Sequence, residues 1–224
     1  MLVKEWMSTP LITARPETTL LEAVRLMRRH RIRRLPVVDG EGCLVGIISD
    51  RDLKEASPSK ATTLDVHEHH YLFAELTVGD YMTRQVITVS PQDSVERAAA
   101  VMVRHKVTGL PVVEGGRAVG MISQEDVSRV LTEATGVTQG GPQFALLLDD
   151  RPQAVERALE IVRRRGGRLV SLLSLSQGVP PGKRKVFIRV GPLSASLQED
   201  LTRDLTAAFQ LLYVESASTS PPEG

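Results

Sequence analysis

The chain repeats itself. Residues 3–53 align with residues 78–127 at an offset of 75, which falls to 74 after one extra residue, Glu41, and 20 of the 50 aligned positions are identical. The identities include Met7/Met82, Thr13/Thr88, Pro16/Pro91, Ala23/Ala98, Met27/Met102 and His30/His105. The run Leu35-Pro36-Val37-Val38 returns as Leu110-Pro111-Val112-Val113. A duplication this dense means one supersecondary unit used twice, each copy too small to hold a core alone.

Each copy reads as β-α-β-β-α. A short strand (Leu11–Thr13; Val86–Val89) is stopped by Pro16 or Pro91. An amphipathic helix follows, with the stripe Leu20, Ala23, Val24, Met27 in the first copy and Val95, Ala98, Ala99, Met102 in the second. Thr19 and Glu22 have the spacing of a capping box. Two strands, Leu35–Val38 and Leu44–Ser49, flank an Asp39-Gly40 turn signal, and a closing helix starts near Asp52.

Composition excludes several classes. With 42% hydrophobic and 25% charged residues, the balance is that of a soluble globular protein. A net charge of +1 supplies no field toward nucleic acid or anionic lipid. One Trp and four Phe make no platform for stacking single-stranded bases. No apolar run approaches the roughly 20 residues of a membrane span, and the N-terminus carries no signal segment. Cys43 stands alone, so an internal disulfide is excluded. These readings predict a cytoplasmic protein with no nucleic-acid or membrane partner.

Two signatures of the form G-x-x-S-x-x-D sit at matched places: Gly46-Ile47-Ile48-Ser49-Asp50-Arg51-Asp52 and Gly120-Met121-Ile122-Ser123-Gln124-Glu125-Asp126. Together with Met7, Met82 and the doubled Leu-Pro-Val-Val, this pattern resembles a CBS-domain pair, or Bateman module. The segment between the copies (Ser57-Pro58-Ser59-Lys60-Ala61-Thr62, Tyr71-Leu72-Phe73, then Val78-Gly79-Asp80-Tyr81-Met82) resembles the linker of acetoin-utilisation B-type CBS proteins. That resemblance implies an ACT-like domain after the pair, a homodimer, a regulated partner enzyme and a link to acetoin utilisation.

The C-terminal third reads as β-α-β-β-α-β: strand 143–148, helix 152–165 with Pro152 in its first turn, strands 169–175 and 185–190, helix 197–208 and strand 210–214. This is a ferredoxin-like layout, and in this position it resembles an ACT domain. ACT domains often bind amino acids with a glycine at the first strand-to-helix turn. Here that turn is Asp149-Asp150-Arg151-Pro152-Gln153, without glycine, so dimerisation or signal relay is the expected role. The expected fold class is α+β. Its parts are CBS repeat 1 (1–60), a linker helix (61–77), CBS repeat 2 (78–136), the ACT-like domain (142–215) and a disordered tail (216–224).

A nucleotide needs a carboxylate for its ribose hydroxyls, donors for phosphate and an apolar slot for the base. Asp52 and Asp126 could take the ribose. Ser49 and Ser123 could donate to phosphate beside a helix N-terminus. Helix capping alone also accounts for these Ser and Asp residues. Of the run Arg28, Arg29, Arg31, Arg33 and Arg34, only Arg33 and Arg34 fall on the family positions before Leu-Pro that reach phosphate. Their counterparts are Thr108 and Gly109, so unequal sites are expected. The resemblance also implies that the backbone near Ile12-Thr13 and Ile87-Thr88 lines the base slot, and Arg51 and Thr108 complete the expected nucleotide-binding residues. Such sites mix both copies, so which Asp serves which arginine stays open. The expected ligand is AMP, ADP or ATP, with no required cofactor and no catalytic residue. His67-Glu68-His69-His70 lacks the order and the distant ligand of a zinc site and reads as solvated linker histidines. A metal hydrolase using His67, His69 and His70 is the enzyme alternative. An empty scaffold that regulates a partner is the structural one.

Overall fold

The helical stripe of the first copy is buried as its spacing requires. In the computed structural model, which describes residues 1–56 and 75–217, helix α1 (Leu20–His30) buries Leu20, Ala23 and Met27. It starts on the expected capping box: Glu22 N donates to Thr19 Oγ1, and Thr19 N donates to the Glu22 carboxylate at 3.1 Å. It ends at Arg31, which takes the left-handed conformation with φ 53°. Strands β1 (Arg34–Val38) and β2 (Leu44–Ser49) then pair antiparallel, and α2 (Asp50–Glu55) closes the copy.

The second copy repeats this. After the short helix α3 (Val78–Tyr81) come α4 (Val95–His105), β3 (Gly109–Glu114), β4 (Arg117–Ser123) and α5 (Gln124–Thr135). The ladders share one register: Arg34 opposes Ser49 as Gly109 opposes Ser123, and both are bulged after the first valine pair position, at Val37/Val38 and Val112/Val113.

Two expectations change. The predicted first strands shrink to single parallel bridges, Ala14 to Val37 and Val89 to Val112. Only two backbone bonds form at each before the chain turns away, as at Ala14 N to the Pro36 oxygen and Val38 N to the Ala14 oxygen. Turning follows at once because Arg15 N donates to Thr18 Oγ1. In the β1–β2 loop the left-handed residue is Gly42 (φ 84°), not Gly40, because Asp39 accepts from Glu41 N and Cys43 N and holds a longer loop around the extra residue.

The two copies exchange their leading segments. Val3 N and Lys4 N donate to the Asp93 and Pro91 oxygens of the second copy, and Val78 N and Gly79 N donate to the Thr18 and Pro16 oxygens of the first. Val3 and Val78 are both fully buried, each worth roughly 1.5–3 kcal/mol of burial. Met82 lies on Gly46, whose Cβ would meet Met82 Cγ at 3.0 Å. Met7 lies on Gly120, whose Cβ would meet its Sδ at 2.6 Å. The core of the first copy therefore runs from Ala14 to Leu53 and is completed by Val78 and Met82.

The chain divides into two compact units, residues 1–128 and 129–224. In the second, β5 (Gly141–Asp149), α6 (Pro152–Arg164), β6 (Leu169–Leu175), β7 (Lys183–Val190), α7 (Ala195–Ala208) and β8 (Gln210–Ala217) follow in the β-α-β-β-α-β order. The antiparallel sheet has the order β6-β7-β5-β8. Ala158 and Val162 of α6 and Leu201 and Leu205 of α7 pack on Phe144, Leu146, Val186 and Ile188, so both helices cover one face. Arg165, just past α6, donates through Nε to Asp204 at 2.7 Å and through Nη1 to Asp200 at 3.4 Å, clasping α6 to α7.

Candidate nucleotide-binding site

The repeated Ser and Asp are brought together in each copy by the same local rule. Ser49 ends β2 in an extended conformation and caps α2. Its backbone N–H and its hydroxyl both donate to Asp52 Oδ2 at 2.7 Å, and Asp52 N donates back to Ser49 Oγ at 3.3 Å. The second copy agrees to within 0.1 Å: Ser123 N and Oγ donate to Asp126 Oδ2 at 2.8 and 2.7 Å, and Asp126 N donates to Ser123 Oγ at 3.3 Å. One oxygen of each carboxylate is thus committed to capping. Asp52 is half-buried and its Oδ1 makes no hydrogen bond among the described residues, whereas Asp126 is only 3% exposed. The Ser–Asp rings share one geometry, and the two carboxylates differ in access.

Strand entry lies against helix start. Asp50 N donates to the Arg33 oxygen at 3.0 Å, and Gln124 N to the Thr108 oxygen at 3.1 Å. Each pair of positions before Leu-Pro therefore sits beside its own Ser–Asp ring. Arg33 is exposed, while Arg34 is half-buried. Burial pulls the Arg34 pKa below the ordinary arginine value, the nearby Arg33 charge acts in the same direction, and the Asp50 and Asp52 carboxylates oppose it.

The remaining predicted residues divide. Ile12 packs against the core of the first copy, with Thr13 half-buried beside it. Ile87 is half-buried and Thr88 exposed. Arg51 lies along the outside of α2, its Nε 2.9 Å from Glu55 Oε1. Thr108 is drawn into an arrangement that sequence reasoning missed, because the Arg34 guanidinium crosses between the copies and donates to Thr108 Oγ1. The available signal was Gly109, which stands where Arg34 has its counterpart and leaves that space open.

His67, Glu68, His69 and His70 lie outside the described residues. Among the described residues no group of His, Cys, Asp and Glu could hold a metal ion, and no helix is long and apolar enough to cross a membrane. At the β5–α6 turn, Asp149 pairs with Lys183 and Asp150 with Arg184, each at 2.8 Å. This turn borders an open cavity of about 500 Å³ lined by Asp149, Arg151, Arg157, Lys183 and Phe209, with Arg157 over the Phe209 ring at 5.8 Å.

The duplicated fold and the doubled Ser–Asp ring define a tandem-repeat module. The CBS domain family model matches residues 3–59 and 78–133, and the chain belongs to that family. It is similar to the L-aspartate semialdehyde sulfurtransferase of Methanocaldococcus jannaschii, with 35% identity over 130 residues, 58% of this chain and 23% of that one. The chain thus spans about a quarter of that relative. Protein MJ1225 from the same organism is similar in structure, with TM-score 0.50 and 32% identity, covering 58% of this chain and 47% of that one. The CBS domain pair of protein MJ0100, in complex with 5′-methylthioadenosine and S-adenosyl-L-methionine, has TM-score 0.49 and 34% identity and covers 58% of this chain and 95% of that one.

Proposed function

We propose that the repeat pair binds an adenine nucleotide of the AMP, ADP or ATP type and that the chain acts as a regulatory sensor, by binding and not by catalysis. The observation that carries this reading is the pairing of Arg34 with Ser49 across the β1–β2 ladder, which sets the half-buried arginine's strand position beside the Ser49–Asp52 ring, whose carboxylate keeps one oxygen unspent. The carboxylate suits ribose hydroxyls and the guanidinium suits phosphate. Ile12, Thr13, Ile87 and Thr88 line the base, Ser49 and Ser123 spend their N–H and O–H on Asp52 and Asp126 and so orient those carboxylates, and Arg33, Arg51 and Thr108 complete the set.

The finer assignments belong to the same reading. Residues 1–60 and 78–136 are the two repeats, and residues 142–215 form an ACT-like domain serving dimerisation or relay. Asp149 and Asp150 are held by Lys183 and Arg184, so no free carboxylate of that turn awaits the ammonium of an amino acid. A homodimer regulating a partner enzyme, with the link to acetoin utilisation that the linker resemblance implies, completes the proposal. One observation favours an empty scaffold instead: both Ser–Asp pairs are satisfied as capping boxes without a ligand.

Calorimetry on nucleotide-stripped protein with AMP, ADP, ATP and S-adenosylmethionine tests the choice. The sensor reading expects at least one to bind and, at a hundredfold excess over Kd, to stabilise the fold by about 2.7 kcal/mol. Asp52→Ala should lose most of that ligand-induced gain. Failure of all four to bind overturns the sensor reading in favour of the scaffold.

A further inference from the structure

Four arginines at helix α1 take no part in the candidate site. Residues 20–34 carry six arginines and a single carboxylate, Glu22. Arg33 and Arg34 enter the strand beside the Ser49–Asp52 ring. That leaves Arg25, Arg28, Arg29 and, just past the helix end, Arg31. All four are exposed, and among the described residues none of their side chains makes a hydrogen bond or an ion pair. Other exposed arginines of the repeat pair are matched at helical spacing, Arg51 with Glu55 at 2.9 Å and Arg97 with Asp93 at 3.2 Å. Glu22 is committed to the helix cap, its carboxylate accepting from Thr19 N at 3.1 Å.

The fold does not ask for these charges, and the second copy shows it. Helices α1 and α4 both have 11 residues, a hydroxyl cap (Thr19; Ser94) and a left-handed end (Arg31; Lys106). They bury matching positions, Leu20, Ala23 and Met27 against Val95, Ala98 and Met102. Where α1 has Arg25 and Arg28, α4 has Ala100 and Val103, and Val103 is 77% exposed. Arg25, Arg28 and Arg29 share one face at i, i+3 and i+4, a spacing at which like charges weaken a helix. Helix α1 bears that repulsion and gains no contact within the chain from it.

The extent of the patch selects its occupant. From Arg25 to Arg29 is about 6 Å along the helix axis, shorter than the Debye length of about 10 Å at 0.1 M salt. Residues 1–128 form one compact unit and hold 16 Lys and Arg against 17 Asp and Glu. Outside residues 20–34 that unit has 10 such cations and 16 such carboxylates. A nucleic-acid duplex or an anionic bilayer reaches far past the patch and meets this excess of negative charge. A short carboxylate-bearing segment does not, and guanidinium forks match carboxylates in a bidentate manner. A two-fold contact of the patch with itself would set the same arginines against each other.

We propose that the Arg25–Arg28–Arg29 face of α1, flanked by Arg31, docks an acidic polypeptide segment of a partner protein, with carboxylates at helical spacing. This deepens the regulated-partner part of the reading above, and nucleotide binding does not depend on it.

Fluorescence anisotropy of the full chain with a labelled helical peptide of about 15 residues, bearing Glu at i, i+3, i+4 and i+7, tests it. The wild type is expected to bind this peptide, to lose affinity as salt rises, and to ignore the same peptide with Gln for Glu. Arg25→Ala combined with Arg28→Val gives α1 the residues of α4. It should weaken binding about tenfold, the size of two exposed charge pairs, and leave the urea midpoint unchanged or raised. Arg29→Gln should weaken binding severalfold as an independent variant. Arg104→Ala, the same charge deletion on α4, should leave it unchanged. Failure of the wild type to bind the Glu peptide, or equal binding by the double variant, would overturn the docking face. So would a lowered urea midpoint in both variants, which would make the arginines structural. Tighter binding of a DNA oligonucleotide or of phosphatidylserine vesicles than of the peptide would assign the patch to those polyanions instead. A change of oligomeric mass in the double variant would assign it to contacts between copies. In each of these outcomes AMP binding by calorimetry still reports on the nucleotide reading separately.

Discussion

At Arg31 and Lys106 the helices α1 and α4 end on non-glycine residues with φ of 53° and 55°. Their side chains are exposed, so nothing around them is packed that glycine would leave empty. The left-handed conformation costs an L-residue about 1–2 kcal/mol, and glycine gives back part of that gain in unfolded-state entropy. Arg31→Gly and Lys106→Gly should each raise the denaturant midpoint, by about 0.5–1 kcal/mol of stability, with the m-value unchanged. Glycine has the opposite meaning at position 46. Its missing Cβ is the space occupied by Met82, itself buried. Gly46→Ala should therefore destabilise by about 1–3 kcal/mol as an overpacked core position does, and chemical denaturation of the variant measures it directly.

At the scale of elements, α6 and α7 are joined by the Arg165 clasp. The hydrogen bond from Arg165 holds the Asp204 carboxyl below the ordinary Asp value of 3.8, and that from Lys183 does the same for Asp149. A lowered folded-state pKa contributes stability above the unfolded value, lost as pH falls through the folded one. The contribution of these two pairs to the C-terminal unit should therefore be kept from neutrality down to about pH 4 and lost progressively below. Asp204→Asn should flatten that acid limb, and urea midpoints between pH 2 and 6 report it. Elements such as these were largely legible in the sequence, because period, caps and breakers are local. Helix α6 starts at Pro152 as expected, and Thr19 with Glu22 forms the expected box. The first strands were not legible as bridges, because the number of backbone bonds made by Ala14 and Val89 depends on where a partner strand lies. The Arg34 contact was hidden for the same reason: sequence pairs residue 34 with residue 109 by alignment and cannot say that they meet.

On the scale of the whole repeat pair, the exchange of leading segments decides how the molecule comes apart. Val78 leads the second copy yet completes the core of the first, and Val3 leads the first copy yet is buried with its N–H bonded to the second. Neither copy can unfold without exposing a residue that the other contributes, so residues 1–128 should lose structure in one transition. The single tryptophan, Trp6, lies between Val3 and Met7, both of which pack on the second copy. Its fluorescence is thus a local reporter of that copy. Val3→Ala, next to the reporter, removes buried methyl groups and should cost about 2 kcal/mol. Val78→Ala makes the same deletion in the other core, and a coupled pair requires the Trp6 midpoint to fall by a similar amount. A Trp6 transition that responds to Val3→Ala but ignores Val78→Ala would mean that the copies unfold independently. The exchanged segments would then be attachments and not shared parts of one core.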